Sequence, residues 1–445
     1  MKKMKNHPMI MQSSNVEIVH EAVLDVNYHP VVLDLQRLIR ENGWENKFEE
    51  AIKMAQSKNV PLIESVTSLD GYLEWINAFL YWVPIETSRG ENVNDHLSAF
   101  YFIADQEPLS QLQNAVLPSE KALPLTTFSK WLVDYANAMG VFLDTEGSLT
   151  AASEQTFYDS SAYNMREYLK PHGGWKTFHQ FFARHYKPGY RPIAAISDHS
   201  IIVMPADSTF GGQWEIRSDS HVTVKNHHWQ VSELLEGSPY KDRFENGLFM
   251  HSFLSPTDYH RQHAPLGGRV LEARVIHGQV YLEVEAVPVA EPEGTHTLKL
   301  KRNYDSLDLA GYQFAQSRAL IVLETAIGLV AVLPIGMCQV SSVILSAEVG
   351  VSVRKGEELS YFQFGGSDII VLFESASNVC FSAQKGIHYK MGTKIAQAFP
   401  VNSMGILCLW KKSMSSPTNW VKTFASKTSP RPTTASFMRV PQRRF

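Results

Sequence analysis

Two adjacent glycines followed by a serine could let the chain cut itself. Residues 356–373 (GEELSYFQFGGSDIIVLF) run from one strand pattern through Gly365, Gly366 and Ser367 into a second strand pattern. Glycine adopts backbone conformations that other residues avoid, which leaves the Gly366 carbonyl open to attack. The serine that follows can then act as an internal nucleophile. The alternative is a tight hairpin in which Gly-Gly-Ser-Asp only turns the chain.

A second segment holds histidines of the kind that act as general bases. Residues 251–267 (HSFLSPTDYHRQHAPLG) place His260 and His263 three positions apart. Histidine exchanges a proton near neutral pH, which suits it to this role. The pair could instead bind a metal, but no third ligand has suitable spacing, so no metal is expected. Asp207 ends the run VMPAD and would alone be an ordinary turn carboxylate. Serine, histidine and aspartate on separate segments are the parts that activate a hydroxyl.

Taken together, these segments resemble the phosphatidylserine decarboxylase family over about residues 160–400. The motifs that carry the resemblance are 178–192 (FHQFFARHYKPGYRP), 255–265 (SPTDYHRQHAP) and 364–367 (FGGS). The resemblance implies self-cleavage between Gly366 and Ser367. It also implies that Ser367 becomes a pyruvoyl group, an internal cofactor that replaces pyridoxal phosphate as electron sink.

Matching positions one at a time, the resemblance implies a role for each site residue. Ser367 corresponds to the autocleavage serine, His263 to the catalytic histidine and Asp207 to the aspartate that orients it. His260 matches the family's other motif histidine, with a substrate-facing or supporting role. The sequence departs from the pattern at Asp368, because it reads GGSD where phospholipid-specific members usually read LGST. An inactive, unprocessed member acting as a binding module is therefore an alternative, and a lipoyl-type carrier module is a more distant one.

The elements that must position these residues predict an α+β fold. Residues 31–143 place apolar side chains three and four positions apart, which indicates helices, and residues 168–193 are predicted as a second helical piece. From residue 194 onward, short β-branched runs indicate a mainly β, barrel- or sandwich-like core. The expected domains are a helical accessory domain (1–150), a catalytic domain (160–410) and a disordered basic tail (411–445).

The most apolar stretch, residues 319–337, has the length of a membrane span, but Glu324, Gly328 and Pro334 interrupt it. Two β-rich runs around the turn-like segment TAIG favour a buried hairpin instead. Near the N-terminus no apolar run is long enough for a signal peptide. The three cysteines contain no CxxC pair, so neither a disulfide framework nor a zinc site is predicted. We expect a cytoplasmic protein with possible peripheral contact to a membrane.

The resemblance also implies the partners. The substrate is expected to be phosphatidylserine or a free amino acid, because the helical extension resembles the fungal branch that includes L-tryptophan decarboxylase. The cleaved fragments, 1–366 and 367–445, are expected to remain together as a heterodimer. The formal net charge of −4 gives no reason to expect nucleic acid as a partner.

Overall fold

The computed structural model describes residues 28–118, 124–219, 221–224, 227–288, 298–302, 312–338, 342–364 and 367–401. All of these lie in one compact unit, which extends to Ile406. The basic tail, residues 411–445, falls outside the described residues, so its disorder stays a prediction.

The first third of the described chain is helical, as the apolar spacing predicts. Polar side chains begin several helices: the Ser68 hydroxyl accepts the backbone N–H of Gly71, and Thr150 and Ser153 form a reciprocal capping box. The helices are α1 (Pro30–Asn42), α2 (Glu45–Gln56), α3 (Leu69–Phe79), α4 (Asn92–Ala104), α5 (Glu107–Ser110), α6 (Thr127–Leu143) and α7 (Ala151–Asp159).

The second helical piece, predicted over residues 168–193, is mostly wrong. Only α8 (Phe178–Phe182) is helical there, and two short strands, β1 (Tyr168–Leu169) and β2 (His185–Tyr186), pair on either side of it. Gly173 and Gly174 both have positive φ, 84° and 75°, which ends any helix before Trp175. The aromatic residues of this segment pack inward without helical periodicity.

The rest of the described chain is mainly β, with one short helix, α9 (Val231–Leu234). Its strands are β3 (Ile201–Val203), β4 (Ser208–Glu215), β5 (His221–Val224), β6 (His227–Gln230), β7 (Leu248–Leu254), β8 (Arg261–His263), β9 (Gly268–Ile276), β10 (Val284–Pro288), β11 (Leu298–Arg302), β12 (Arg318–Thr325), β13 (Gly328–Gly336), β14 (Val343–Leu345), β15 (Ser352–Val353), β16 (Glu358–Phe362), β17 (Ser367–Phe373), β18 (Val379–Phe381), β19 (His388–Tyr389) and β20 (Lys394–Ala398).

Eight strands form one antiparallel sheet in the order β15-β9-β12-β13-β17-β7-β4-β19. Its end strands do not pair with each other, so the described residues form no closed barrel. The prediction of an α+β fold is confirmed, and the barrel-like form of its core is not. Two three-stranded sheets accompany it, β14-β16-β8 and β18-β20-β3. The predicted hairpin is confirmed as β12 and β13, which turn at Gly328 with φ 112°. No helix within the described ranges has the length and apolarity needed to cross a bilayer.

The Gly-Gly-Ser-Asp segment does not close a hairpin. β16, which precedes it, pairs with β14 and β8, whereas β17, which follows it, pairs with β13 and β7 of the large sheet. The segment therefore passes from one sheet to another. This arrangement rules out both the simple hairpin interpretation and a carrier module with a cofactor at a hairpin tip.

The large sheet separates two apolar clusters, because successive side chains of a strand point to opposite faces. Ile370 of β17 lies in a smaller cluster with Trp229 and Phe314. Ile369, on the other face, lies in a larger cluster that also contains Leu35 of α1. The helices before the predicted boundary at residues 144–153 and the sheet after it thus contribute to the same apolar cluster.

Of the three cysteines, Cys408 lies outside the described residues, so the structure does not test the prediction about disulfides. Cys338 is buried just beyond the end of β13.

Candidate active site

The predicted histidines lie on a segment that borders the predicted cleavage position from both sides. Strand β7 ends at Leu254, whose backbone pairs with that of Ser367 at the start of β17. The chain then runs through residues 255–260 into β8, which pairs with β16. Residues 365 and 366 lie outside the described residues, between β16 and β17. The segment that carries the histidines therefore follows β7, which pairs with Ser367, and pairs with β16, which precedes residue 365.

His263 is held by hydrogen bonds at both ring nitrogens. Nδ1 lies 2.9 Å from the carbonyl oxygen of Gly356, and Nε2 lies 3.0 Å from the hydroxyl of Tyr259. A carbonyl oxygen can only accept, so Nδ1 carries the proton. In the neutral ring, Nε2 is then the basic atom and accepts the hydrogen bond of the tyrosine. Burial lowers the pKa of His263 below the ordinary histidine value, which favours this neutral form.

Position 356 favours glycine over any other residue. Its φ is 79°, and a Cβ there would lie 2.5 Å from the Cδ1 atom of Ile193. The backbone of Glu358 pairs with that of His263 nearby, so β16 and the turn before it both fix the histidine. The glycine therefore allows the turn that directs its carbonyl at Nδ1.

His260 is completely buried and stacks on Phe182, with ring centroids 3.9 Å apart. Within the described chain, neither of its ring nitrogens has a hydrogen-bond partner of normal geometry. Burial and, after it, the positive charge of Arg184 hold the pKa of His260 well below its usual range, and backbone groups of Ser255 and Asp258 offset this only in part. His260 is therefore a neutral ring whose nitrogens have no partner of normal geometry among the described residues, and its backbone carbonyl accepts the N–H of Phe362 at 2.9 Å.

Asp207 binds Arg191 rather than His263. The Nε of Arg191 lies 2.8 and 3.0 Å from the two carboxylate oxygens, and the backbone N–H of Met391 donates to one of them at 2.8 Å. Arg191 also donates to Glu167 at 2.7 Å, and all three charged side chains are buried. Asp207 is nevertheless close in sequence to Pro205, whose carbonyl accepts the backbone N–H of His263 at 2.7 Å. Its predicted orienting role is thus not a direct hydrogen bond in this structure, and the role stays a prediction.

Arg184 supports the loop that carries the histidines. It is 1% exposed and donates to the backbone carbonyls of Thr257 and Asp258 at 3.0 and 3.1 Å. The guanidinium also lies over the ring of Tyr168, 4.1 Å from its centroid. Because two hydrogen bonds hold backbone rather than side chains, Arg184 fixes the shape of the loop just before His260.

Asp368, the residue that departs from the expected motif, is buried in a polar cluster. One carboxylate oxygen, Oδ2, lies 3.0 Å from Nε2 of His251 and accepts from the amide of Gln313 at 2.9 Å. It also accepts from the hydroxyl of Tyr312. The other oxygen, Oδ1, has no hydrogen-bond partner within the described chain. This cluster lies directly after Ser367, and only the backbone of Ser367 is described.

Sequence reasoning identified the histidines but missed the groups that hold them. Tyr259 and Gly356 appeared only as parts of motifs. A tyrosine four residues before a histidine gives no sign in the sequence that the two side chains are in contact. Arg184 and Arg191 lie in the FHQFFARHYKPGYRP motif, and arginines among so many aromatic residues were a usable sign of buried guanidinium groups that need partners.

The arrangement as a whole can activate a hydroxyl group. It offers a neutral imidazole with a defined basic nitrogen and a second buried imidazole, on a segment that follows the strand paired with Ser367 and itself pairs with β16. Such a set is suited to proton transfer during nucleophilic attack on a backbone carbonyl.

Comparison with known proteins finds relatives over the part of the chain that contains these residues. The family model described as phosphatidylserine decarboxylase matches residues 178–397. Phosphatidylserine decarboxylase proenzyme 3 of Schizosaccharomyces pombe is 36% identical over 212 residues, which are 47% of this chain and 20% of that protein. The proenzymes of Chlamydia muridarum (32% identical; 51% of this chain, 68% of that protein) and Fusobacterium nucleatum (29%; 49% and 67%) are also similar. This chain thus spans about two thirds of the bacterial relatives and a fifth of the fungal one.

An ion pair at the edge of the site should make stability depend on pH. His388 lies 2.9 Å from the buried carboxylate of Asp258, and this hydrogen bond raises the pKa of His388. A raised folded-state pKa stabilises the fold fully below the unfolded-state value, about 6.5, and the effect is lost as pH rises through the folded-state value. In a Ser367→Ala background, His388→Gln should therefore lower the urea midpoint more at about pH 6 than at about pH 9. The exposed His172→Gln is the control. An effect of His388→Gln that is equal at both pH values contradicts the pairing.

The buried charge network should make Arg191 costly to remove. Arg191→Met leaves the carboxylates of Asp207 and Glu167 buried without their guanidinium partner, which should reduce the free energy of unfolding by about 3–5 kcal/mol. Arg166→Met, at an exposed neighbouring arginine, should change it by less than about 0.5 kcal/mol. Denaturant titration in the Ser367→Ala background measures both. A loss below about 1 kcal/mol for Arg191→Met would show that the network is not a major support.

Proposed function

Because the chain belongs to the phosphatidylserine decarboxylase family, we propose that it cleaves itself between Gly366 and Ser367 and becomes a pyruvoyl-dependent decarboxylase. One observation carries the proposal: the segment with His260 and His263 follows β7, which pairs with Ser367, and pairs through β8 with β16, the strand before residue 365. This path supports a meeting of the nucleophile that follows the two glycines with the buried base.

Self-cleavage begins with removal of the Ser367 hydroxyl proton by Nε2 of His263. In the resting structure this nitrogen accepts from Tyr259, so the tyrosine hydroxyl must turn away or pass the proton on. The serine oxygen attacks the Gly366 carbonyl, the C–N bond breaks and an ester forms, with the proton going to the new amino group. Elimination across the serine Cα and Cβ releases Gly366 as a carboxylate. Hydrolysis of the remaining dehydroalanine gives the pyruvoyl group and ammonia.

The residues around Ser367 fit a pyruvoyl group formed there. His260 is buried with both ring nitrogens lacking partners in the described chain, which leaves it able to bond to a group at residues 366–367 or to its substrate. When formed, the pyruvoyl group supplies an electron sink for loss of carbon dioxide. His260, with its lowered pKa, is neutral at physiological pH and can donate a hydrogen bond at one ring nitrogen and accept one at the other.

Asp207 acts in this proposal by fixing the surroundings of His263. Its carboxylate holds Arg191 and the backbone of Met391, while the Pro205 carbonyl holds the backbone of His263. Loss of the Asp207 charge would loosen this chain of contacts without removing the base. Cleavage should then slow less than after loss of His263.

The two fragments are proposed to remain associated as a heterodimer. Strand β17 lies in the middle of the large sheet, paired along its whole length with β13 on one side and β7 on the other. Its apolar residues 369–373 are completely buried. Cleavage before Ser367 would break one covalent bond and none of these contacts.

Phosphatidylserine is the first candidate for the substrate, because the matched relatives carry that name. A free amino acid is the second candidate, because the sequence departs at Asp368 from the motif of the phospholipid-specific members. A phospholipid enzyme must also meet a membrane surface, for which the basic tail is the proposed contact.

The cleavage proposal predicts specific masses. Purified wild-type protein should contain two fragments, 1–366 and 367–445, that co-elute in native chromatography and separate in denaturant. The second fragment should have a blocked N-terminus that reacts with borohydride. Ser367→Ala should stay full length, and His263→Ala should slow cleavage by about 100-fold or more. His260→Ala should still cleave but decarboxylate poorly. A full-length wild-type chain under all conditions contradicts the proposal.

The substrate is decided by release of carbon dioxide. Processed enzyme should release it from phosphatidylserine vesicles, and truncation after Trp410 should reduce that rate at low salt while self-cleavage continues. Serine and phosphatidylcholine vesicles serve as controls. Release from tryptophan or tyrosine, with none from phosphatidylserine, would overturn the first candidate and leave the pyruvoyl mechanism intact.

A further inference from the structure

Phe364, the last described residue before the cleavage position, is enclosed by aromatic rings. Its side chain is 1% exposed and meets Phe178 and Phe182 edge-on, with centroids 5.2 and 5.5 Å away. Phe182 in turn is the ring on which His260 stacks. The fourth ring, that of Trp82, lies 6.2 Å from Phe364 and comes from the helical region. A continuous chain of aromatic contacts therefore joins the helical region, Phe364 and the site histidine.

Trp82 is itself fixed in place. It follows α3, is 7% exposed and packs on Phe79. The ring of His96 in α4 also stacks on Trp82, with ring centroids 4.6 Å apart and an angle of 11° between the ring planes. The Nδ1 of His96 is bound to the carbonyl of Asn92 at 2.8 Å, and burial lowers its pKa, so the stacked imidazole is neutral. Trp82 is thus a rigid wall rather than a loose surface ring.

The same loop of the helical region also touches the histidine segment. A Cβ at Gly90 would lie 2.6 Å from Ala162 and 3.3 Å from the Cγ2 atom of Thr257. Thr257 belongs to the loop that Arg184 supports, three residues before His260. The connection between α3 and α4 therefore contacts both the chain before the cleavage position and the loop that precedes the base.

We propose that Trp82 is a positioning residue for self-cleavage, acting through Phe364. This inference rests on the proposed function. Phe364 is two residues before the carbonyl that Ser367 must attack, so a fixed Phe364 limits where that carbonyl can lie. Holding reacting groups in position contributes strongly to the rate of such an intramolecular step, and small displacements reduce it by large factors. The helical region is then part of the maturation machinery and not only an accessory domain.

The same rings should protect the ester intermediate from water. Elimination breaks the bond between the serine oxygen and Cβ, takes a proton from Cα and leads to the pyruvoyl group. Attack by water instead breaks the acyl–oxygen bond, leaving Gly366 as a carboxylate and an intact Ser367 with a free amino group. Removal of the Trp82 ring opens space beside Phe364, so a larger share of the small fragment should begin with unmodified serine.

The test follows cleavage of freshly translated chain with time. Trp82→Ala should slow it by about tenfold and raise the share of fragment 367–445 that begins with free serine. Trp82→Phe, which keeps a ring, should recover most of the rate. Trp75→Ala, which removes a ring stacked on Phe79 away from Phe364, is the matched control and should stay within about twofold of wild type.

A double-mutant cycle separates positioning from general destabilisation. If Trp82 acts through Phe364, then Trp82→Ala combined with Phe364→Leu should slow cleavage by less than the product of the two single effects. Trp82→Leu, which keeps apolar volume, replaces Trp82→Ala should that variant fail to fold. If the wild-type chain cleaves and the Trp82 variants cleave at the same rate, this inference is overturned. Multiplicative effects in the cycle also overturn it. Failure of wild-type chain to cleave overturns the proposed function instead.

Discussion

The hydrogen bond between Nδ1 of His263 and the carbonyl of Gly356 is the constraint on which the site depends. Because a carbonyl cannot donate, this bond fixes the tautomer of the ring and leaves Nε2 as its basic atom. Burial keeps the ring neutral, and Tyr259 occupies the basic nitrogen in the resting structure. The proposed cleavage needs all three conditions: a known basic atom, an uncharged ring and a partner that can move.

The fold provides this bond through an unusual path of the chain. The segment that holds His263 leaves the large sheet beside Ser367 and joins a second sheet beside β16, so it contacts both arms of the cleavage segment. Gly-Gly lies where the chain crosses between these sheets. Aromatic contacts from Trp82 to His260 support the chain before residue 365, and β13 and β7 support β17, which follows residue 366.

Several features could be predicted from sequence because a local pattern encodes them. Helices before residue 143 follow from apolar spacing, and the β12–β13 hairpin follows from two β-branched runs around Gly328. The roles given to Ser367, His260 and His263 rest on residue type and on the family resemblance, and they stay predictions. Residues 168–193 were assigned wrongly as helix because their aromatic density resembles a helical face, whereas the glycine pairs and prolines impose turns.

Other features depend on contacts between distant residues, which a single sequence does not encode. Nothing local indicates that Gly356 faces His263, that Arg191 binds Asp207, or that Trp82 reaches Phe364 across 282 positions of the chain. The hairpin interpretation of Gly-Gly-Ser-Asp was reasonable locally and failed because β16 and β17 pair with strands from elsewhere. Pairing of distant strands is decided by the whole core and not by the turn between neighbours.

The most direct test of the account is the pH dependence of the first-order rate of cleavage at Gly366–Ser367 in freshly translated wild-type chain. Burial lowers the pKa of His263, so the ring loses its proton at a lower pH than an ordinary histidine, whose pKa is about 6.5. The account predicts that the cleavage rate falls as the ring becomes protonated and reaches half its maximum below about pH 6.5. A half-maximal rate above about pH 6.5, or a chain that stays uncut at every pH, would contradict it.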